Sequence, residues 1–391
     1  MNVEELKRSP IGQLVPINGT DPRTAKPWDY WAYLADPIPD VPEINPRAVH
    51  AASKAGMAVA RLDERVALLP NPALLVRPIL RREAASTSAL EGTFASFEDV
   101  LQADFLDDDQ MSYEQREIRN YVLATELAIQ QIADRRISRS FLGELQLTIV
   151  RGTAGASSDS GDIRPHQVAI GPKNRPIEEA RFVPCPPGDQ LEAGVAAWED
   201  WVANDNDVLI VAKLAIAHYQ FEALHPFGDG NGRLGRLVAL LQLMKAGELR
   251  WPVLNIAPWF EARRDEYQDG LLQTTITGDF SPWIEFFANA IEDQARDALE
   301  RIQRILDIRD EMIQRLKAKK MRGSTIEIAE LLIGYPIIDV PTAKSLIGKT
   351  FEAANQAVAK LVDEGILTEV TGNRQNRLFV CWDVWRETRW E

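Results

Sequence analysis

The sequence predicts a mainly α-helical protein with a short β-hairpin in its central region and a winged helix-turn-helix at its C-terminal end. Apolar residues recur at helical spacing between 189 and 320, as in the segment LIVAKLAIAHYQFEAL. The segment VAIGPKNRPIEEARFV, residues 168–183, is typical of two short strands joined by a turn. Beyond residue 320 the pattern predicts a helix, a tight turn, a second helix and then two strands, the order of a winged helix-turn-helix.

The N-terminal part divides into an arm and a helical region. Residues 1–46 are rich in proline and tryptophan, and we expect an extended arm because proline-rich segments cannot continue helices. Helical patterns cover 47–105 and 113–150. The domains expected from these patterns are an N-terminal arm and helical segment at 1–110, a core at 111–300 and the winged-helix domain at 301–391.

Composition describes an ordinary globular chain. Its 391 residues are 45% hydrophobic and carry a formal net charge of −14, which gives no electrostatic reason to expect nucleic acid as the main partner. The two cysteines form no pairing or metal motif. The N-terminus lacks an apolar signal core, and no stretch approaches the roughly 20 apolar residues of a membrane span. We therefore expect a cytoplasmic protein with no membrane partner.

One loop concentrates most of the unusual residues. LHPFGDGNGRLGR, residues 224–236, holds one histidine, one aspartate, two arginines and four glycines between two apolar helical patterns. Its GNGRLG matches the dinucleotide fingerprint, but that fingerprint needs a preceding strand and here a helix precedes it. The phosphate-binding G-K-[ST] pattern and the metalloprotease H-E-x-x-H pattern are both absent from the sequence.

The chemistry of this loop favours phosphate binding at a helix start. Free backbone N–H groups and the positive end of the helix dipole attract anions, and glycines let the backbone approach them closely. Arg233 and Arg236 can each hold a phosphate with a planar guanidinium. Asp229 beside an anion suggests Mg²⁺ between them, and His225 is placed to accept a proton from a hydroxyl. Together these residues predict a nucleotidyl-transfer site.

The stretch HPFGDGNGRLGR resembles the signature of Fic-domain proteins, H-x-F-x-[D/E]-G-N-G-R-x-x-R, at every defined position. The resemblance extends over most of 110–295, through GDIRPHQVAIG, FVPCPP and NIAPWFEARRDEYQDGLL. It implies a Fic-type helical core that transfers AMP from ATP to a Ser, Thr or Tyr hydroxyl of a protein. His225 would be the catalytic base, Phe227 a buried anchor of the loop, and Asp229 the Mg²⁺ ligand. The implied ATP site comprises Gly228, Asp229, Gly230, Asn231, Gly232, Arg233, Arg236 and Tyr267.

The resemblance also implies a place for the target protein. The hairpin before the signature corresponds to the family's flap, which would bind an extended target segment by β-addition near Val168 and Ile170. A hairpin edge offers main-chain hydrogen bonds without demanding a sequence, so it does not identify the target. A merely structural ribbon is the alternative interpretation of this hairpin.

The segment RREAASTSALEGTFAS, residues 81–96, suggests a built-in inhibitor. Glu91 lies near the C-terminal end of a helix, where the dipole favours cations, and Gly92 is placed to stop that helix. Thr87, Glu91 and Gly92 resemble the Fic inhibitory motif [S/T]-x-x-x-E-[G/N], expected on a helix at about 78–92. The resemblance implies a class II protein in which Glu91 pairs with Arg236 and keeps ATP from binding productively.

Several alternatives stay open at this point. Between Lys320 and Glu391 acidic residues slightly outnumber basic ones, so protein contact or dimerisation is favoured for the winged helix, and DNA contact through Arg374 and Arg377 is the lesser possibility. The chain could instead be a regulatory adaptor that senses nucleotide, or an enzyme that uses another donor or removes AMP with help from Glu91. The target, the trigger that relieves inhibition and the oligomeric state, a homodimer included, are not readable from the sequence.

Overall fold

A computed structural model describes residues 1–21, 24–69, 71–94, 110–172, 175–204, 207–372 and 377–388. The described residues form two compact units. The first comprises 1–60, 84–249 and 256–293, and the second comprises 61–83, 250–255 and 294–391. Within these ranges no helix combines the length and hydrophobicity needed to cross a membrane.

The described chain is mainly helical, as predicted. Its helices, in chain order, are α1 Val3–Leu6, α2 Pro46–Ala67, α3 Ala73–Leu90, α4 Tyr113–Gln131, α5 Arg139–Val150, α6 Asp189–Ala203, α7 Ile210–Leu224, α8 Asn231–Lys245, α9 Ala257–Glu261, α10 Arg264–Thr277, α11 Ser281–Ala318, α12 Ser324–Leu331, α13 Val340–Ile347, α14 Phe351–Asp363 and α15 Trp382–Thr388. The strands are β1 Gly12–Thr20, β2 Pro27–Ala35, β3 Ile337–Ile338, β4 Thr368–Glu369 and β5 Phe379–Val380.

Helix α7 lies in the centre of the first unit and is buried on nearly all sides. Such all-round burial is typical of a core helix rather than of an amphipathic surface helix. Two buried tryptophans fix its backbone: the indole N–H of Trp198 donates to the carbonyl of Ala217 at 2.9 Å, and that of Trp283 donates to Ala215 at 2.7 Å. These two bonds tie the middle of α7, which leads on to the glycine-rich loop, to the surrounding core.

The N-terminal arm is not merely extended, which corrects the prediction made for residues 1–46. Strands β1 and β2 form an antiparallel hairpin in which Gly12 pairs with Ala35 and Thr20 with Pro27. Proline 16 lies inside β1, a strand paired on one side only among the described residues. An edge strand tolerates proline because the missing N–H is not needed by a neighbour.

The central hairpin is reduced to a single bridge. Ile170 and Phe182 form the only residue pair bonded in the manner of a sheet among the described residues of 168–183, with N–H···O distances of 2.8 and 3.1 Å. The predicted strands do not extend further, and a short 3₁₀ turn occupies 177–179 instead. Pro172 and Pro176 each remove a backbone donor, which limits the ladder that this segment can build.

The C-terminal part of the second unit has the order of elements α12, β3, α13, α14, β4, β5 and α15. Its three short strands form one antiparallel sheet in the order β3-β5-β4. Asp339 and Thr350 accept hydrogen bonds at the starts of α13 and α14, as good N-cap residues do. The winged-helix assignment itself, and the boundaries at 110 and 300, stay predictions. Arg374 lies outside the described residues, and Arg377 stacks on Phe379.

Candidate active site

The glycine-rich loop runs from the end of α7 to the start of α8 through two left-handed residues. His225 has φ 50° and ψ 61°, an uncommon conformation for a residue with a Cβ, and Gly230 has φ 80°. Such conformations persist only where the surroundings impose them, and they cluster at functional sites. Helix α8 begins directly at Asn231, so its first N–H groups, which have no acceptor inside the helix, face the loop.

The loop is fastened from within by an asparagine. The side chain of Asn231 accepts from the N–H of Phe227 at 2.9 Å and donates to the carbonyl of the same residue at 2.8 Å. The Phe227 side chain is buried, in the position expected of an anchor. The Asn231 amide thus ties the loop to the first residue of α8.

A buried arginine holds the loop from the other side. The guanidinium of Arg164, with 1% of the residue exposed, donates to the carbonyls of His225 at 2.8 Å, Leu224 at 3.3 Å and His166 at 2.9 Å, and also to that of Cys185. Burial lowers the pKa of Arg164 to about 10, so it remains a cation at neutral pH. The guanidinium of Arg164 therefore hydrogen-bonds to backbone carbonyls, including that of His225, and supports the conformation of this residue.

Two further ionisable residues lie beneath His225. Glu222 precedes it by one turn, and its Oε2 is 3.6 Å from His225 Nδ1. His218 is fully buried, and its Nε2 shares a 2.7 Å hydrogen bond with the hydroxyl of Tyr267. Burial lowers the pKa of His218, so its ring is neutral, and burial raises the pKa of Tyr267.

The segment that follows α3 reaches the start of α8. Arg236 Nε donates to the hydroxyl of Thr87 at 2.6 Å, and its Nη2 donates to Glu91 Oε1 at 2.7 Å. The Glu91 carboxylate also lies over Gly232, where an added Cβ would come within 2.1 Å of Oε1. Gly92, with φ 88°, turns the chain after the helix. The structure therefore places Thr87, on a helix that begins at residue 73 instead of 78, and Glu91, just after the end of that helix, against the start of α8.

The charges around Arg236 explain its protonation. Burial by itself lowers the pKa of this guanidinium, but the adjacent carboxylate of Glu91 outweighs burial and holds the pKa above its ordinary value. Arg236 is therefore a cation whose counter-charge is Glu91.

The first arginine of the motif, Arg233, has two carboxylate partners. Arg233 pairs with Asp229 at 2.6 Å and with Glu117 at 3.1 Å, and its side chain is 3% exposed. The Asp229 side chain is 45% exposed and lies against Gly155, where a Cβ would come within 2.5 Å of the carboxylate carbon. No group of three His, Cys, Asp or Glu residues suited to a metal occurs in the described parts of the chain. A single accessible carboxylate still suits Mg²⁺, which protein sites often bind through one carboxylate together with substrate phosphates.

A cavity of about 120 Å³ opens beside these groups. Its wall includes the predicted residues His225, Gly232, Arg236, Tyr267, Glu91 and Ile170. Apolar side chains of α10 and the edge of the bridged segment complete it, including Leu271, Leu272 and Phe182. The cavity thus joins His225, the start of α8 and Glu91 in one space.

The remaining predicted residues lie around this cavity. Gly228 faces His166 and Asp159, and Gly230 packs against Ile149 and Val150. Val168 is half-buried, and its carbonyl accepts a hydrogen bond from the Gln167 side chain. Ile170 lines the cavity, whereas Val168 does not.

Sequence reasoning missed Arg164 and Glu222. Arg164 stands in the quoted GDIRPHQ, but a lone arginine before a proline carries no local signal that it is buried. Glu222 lies three residues before His225, and that spacing on a helix places side chains on one face. This spacing was the available signal for Glu222.

Comparison with known proteins identifies two family regions. Residues 49–130 match the Fic/DOC family N-terminal model, and residues 137–243 match the Fic/DOC family model. A protein named protein adenylyltransferase Fic from Culex quinquefasciatus is 33% identical over 136 residues, which are 34% of this chain and 24% of the relative. A protein of the same name from Drosophila willistoni is 30% identical over 183 residues, 44% of this chain and 32% of the relative. The chain thus spans about a quarter to a third of the length of these curated relatives.

Solved structures give a matching fold. A Fic family protein from Desulfovibrio desulfuricans G20 superposes with a TM-score of 0.56 over 87% of this chain and 97% of that chain, at 21% identity. The likeness at that identity concerns the fold. The chain therefore contains a Fic/DOC family N-terminal region at 49–130 and a Fic/DOC family region at 137–243.

Proposed function

We propose that the chain is a protein adenylyltransferase that transfers AMP from ATP to a hydroxyl group of a target protein and of itself. The observation that carries the proposal is the cavity in which the His225 side chain meets the first turn of α8 and Arg236. The names of the relatives support the same reaction.

In the proposed reaction, one residue accepts the proton of the target hydroxyl and other groups stabilise the charges of the phosphates. His225 accepts the proton of a Ser, Thr or Tyr hydroxyl, whose oxygen attacks the α-phosphorus of ATP. The bond between the α-phosphorus and the bridging oxygen breaks, and pyrophosphate leaves with that oxygen. The N-terminal turn of α8, from Gly230 to Gly232, and the guanidinium of Arg236 stabilise the phosphate charges. Asp229 would hold Mg²⁺, which when bound neutralises charge on the phosphates.

We propose that the same site is restrained by Glu91. Its carboxylate accepts a hydrogen bond from Arg236 and fills the space over Gly232. The positive charge of Arg236 is therefore already neutralised by the chain itself. A triphosphate must displace that carboxylate or bind without Arg236. Removal of AMP with Glu91 as an aid is an outcome that the experiment below distinguishes.

The target would bind along the segment at Ile170, whose backbone bonds to Phe182 on one side. An extended target chain on the other side would place its hydroxyl at the cavity, because Ile170 itself lines that cavity.

The test uses a Glu91→Gly variant with labelled nucleotides. We expect label on protein from the α-phosphate of ATP and none from the γ-phosphate. Label from the γ-phosphate would identify phosphoryl transfer, label from UTP alone would identify another donor, and no label would favour an adaptor. Release of AMP from a labelled protein by the wild type, but not by Glu91→Gly, would identify AMP removal.

A further inference from the structure

Glu222 is the one buried carboxylate in direct reach of His225 within the described residues. It lies in the last turn of α7, with a side chain 11% exposed, and its Oε2 is 3.6 Å from His225 Nδ1. Its second oxygen, Oε1, and His225 Nδ1 are both buried without a hydrogen-bond partner in the parts of the chain that the structure describes. Buried polar atoms are nearly always bonded, so an unpartnered His225 Nδ1 only 3.6 Å from Glu222 Oε2 points to a contact that closes in the working enzyme.

We propose that Glu222 is a positioning residue that accepts the Nδ1–H of His225 and thereby leaves Nε2 unprotonated as the atom that takes the substrate proton. The inference rests on the proposed function, and adds to it the residue that selects the tautomer of the base. A carboxylate behind an imidazole fixes its tautomer and orientation and stabilises the imidazolium that forms.

The surroundings of Glu222 keep it ionised. Burial alone raises the pKa of a carboxyl, but the neighbouring His225 and the charge of Arg236 hold the pKa of Glu222 below its usual range. Burying an ionised carboxylate without a compensating charge is unfavourable. The groups around Glu222 supply that compensation, so the carboxylate stays ionised.

Neighbouring residues direct Glu222 toward His225 instead of His218. His218 uses its Nε2 for Tyr267 at 2.7 Å, and its distance from Glu222 is 4.0 Å. Space for the carboxylate comes from Gly235, where an added Cβ would lie 3.0 Å from Glu222 Oε1 and 3.2 Å from the His218 ring. A side chain at that position in α8 would therefore press on both the carboxylate and the His218 ring.

The backbone and the ring of His225 are then fixed by different residues. Arg164 bonds the carbonyl of His225 at 2.8 Å and supports its left-handed conformation. That contact leaves the imidazole free to rotate about its own side-chain bonds. Glu222 supplies the remaining constraint, on the orientation of the ring and on the position of its proton.

The experiment compares Glu222→Gln and Glu222→Leu in the Glu91→Gly background, with the exposed Glu248→Leu as the matched control. The chain has 4 histidines, so ¹⁵N NMR of the neutral rings can be assigned with His225→Ala. We expect the His225 Nδ1–H tautomer to persist in Glu222→Gln, whose amide oxygen still accepts, and to be lost in Glu222→Leu. We expect the kcat to fall about 10- to 100-fold in Glu222→Leu and less in Glu222→Gln, with the Kd for ATP unchanged.

An unchanged tautomer together with an unchanged kcat in Glu222→Leu would overturn the inference. If Glu222→Leu does not fold, Glu222→Gln decides the question through the kcat alone, since an unaltered kcat there would show that the carboxylate charge is not used. If the Glu91→Gly parent labels no protein, the proposed function fails, while the tautomer measurement still judges the role of Glu222.

Discussion

Replacing Glu91 by glycine removes the carboxylate that lies on Arg236 and over Gly232. The pair is short, 2.7 Å, and asymmetric in exposure: the Arg236 side chain is 1% exposed and that of Glu91 is 40% exposed. A hydrogen bond to a charged group contributes about 1.5–3 kcal/mol, and the exposure of Glu91 places this one at the lower end. Freeing Arg236 for a phosphate is then worth about tenfold, since 1.4 kcal/mol is a factor of ten.

A second effect adds to the first. The Glu91 carboxylate also repels any phosphate at the start of α8, because it fills the space over Gly232. We therefore expect Glu91→Gly to raise the initial rate of self-labelling from α-labelled ATP by about 10- to 100-fold. Glu91→Gln keeps the size of the side chain without its charge and should give an intermediate rate.

The assay measures incorporated label at saturating and at limiting ATP, with Glu248→Gly as the control because that glutamate is exposed and also follows the end of a helix. The rate of the control should equal that of the wild type. An unchanged rate in Glu91→Gly, with the variant folded, would refute the reasoning that Glu91 withholds Arg236 from the nucleotide.

Three other predictions concern the support of the site and the second unit. Thr87→Val leaves the buried Nε of Arg236 without its 2.6 Å partner and should lower the free energy of unfolding by about 1–3 kcal/mol in urea titrations. It should also raise the labelling rate, but less than Glu91→Gly does. A free energy of unfolding equal to that of the wild type would contradict the importance of that bond. Asn231→Ala leaves the N–H and the carbonyl of Phe227 without their hydrogen-bond partner. We expect the free energy of unfolding to fall by about 2 kcal/mol or more in the same titrations, together with a lower kcat. Unaltered values of both would contradict the role of Asn231 in holding the loop. Burial alone would raise the pKa of Asp297, but hydrogen bonds from its two arginine partners hold the pKa below the ordinary value, so its stabilisation is present above about pH 4 and is lost as the pH falls. Asp297→Asn should flatten the acid side of a plot of melting temperature against pH, and an identical slope in wild type and variant would exclude this contribution.

The glycine-rich loop was predictable because its chemistry is local. His225, Asp229 and the two arginines are separated by only a few residues, and a helix start after glycines has known anion-binding properties. The approach of Glu91 to Arg236 spans 145 residues, and only the family resemblance pointed to it.

Features that depend on distant partners were not predictable from local patterns. The N-terminal hairpin was missed because the prolines were taken only as evidence against helices, whereas Pro16 lies in a strand that is paired on one side among the described residues and so tolerates proline. The strands at 168–183 were overestimated because Pro172 and Pro176 lack the backbone N–H groups that a longer ladder would need. Arg164 gave no signal, since its partners are backbone carbonyls brought in by the fold.

The most direct test of the account is the intact mass of the protein after incubation with ATP and Mg²⁺. We predict that Glu91→Gly gains the mass of one or more AMP groups and that Glu91→Gly combined with His225→Ala gains none. A gain of the phosphate mass, or an equal gain of AMP without His225, would contradict the claim that His225 and the start of α8 form an AMP-transfer site.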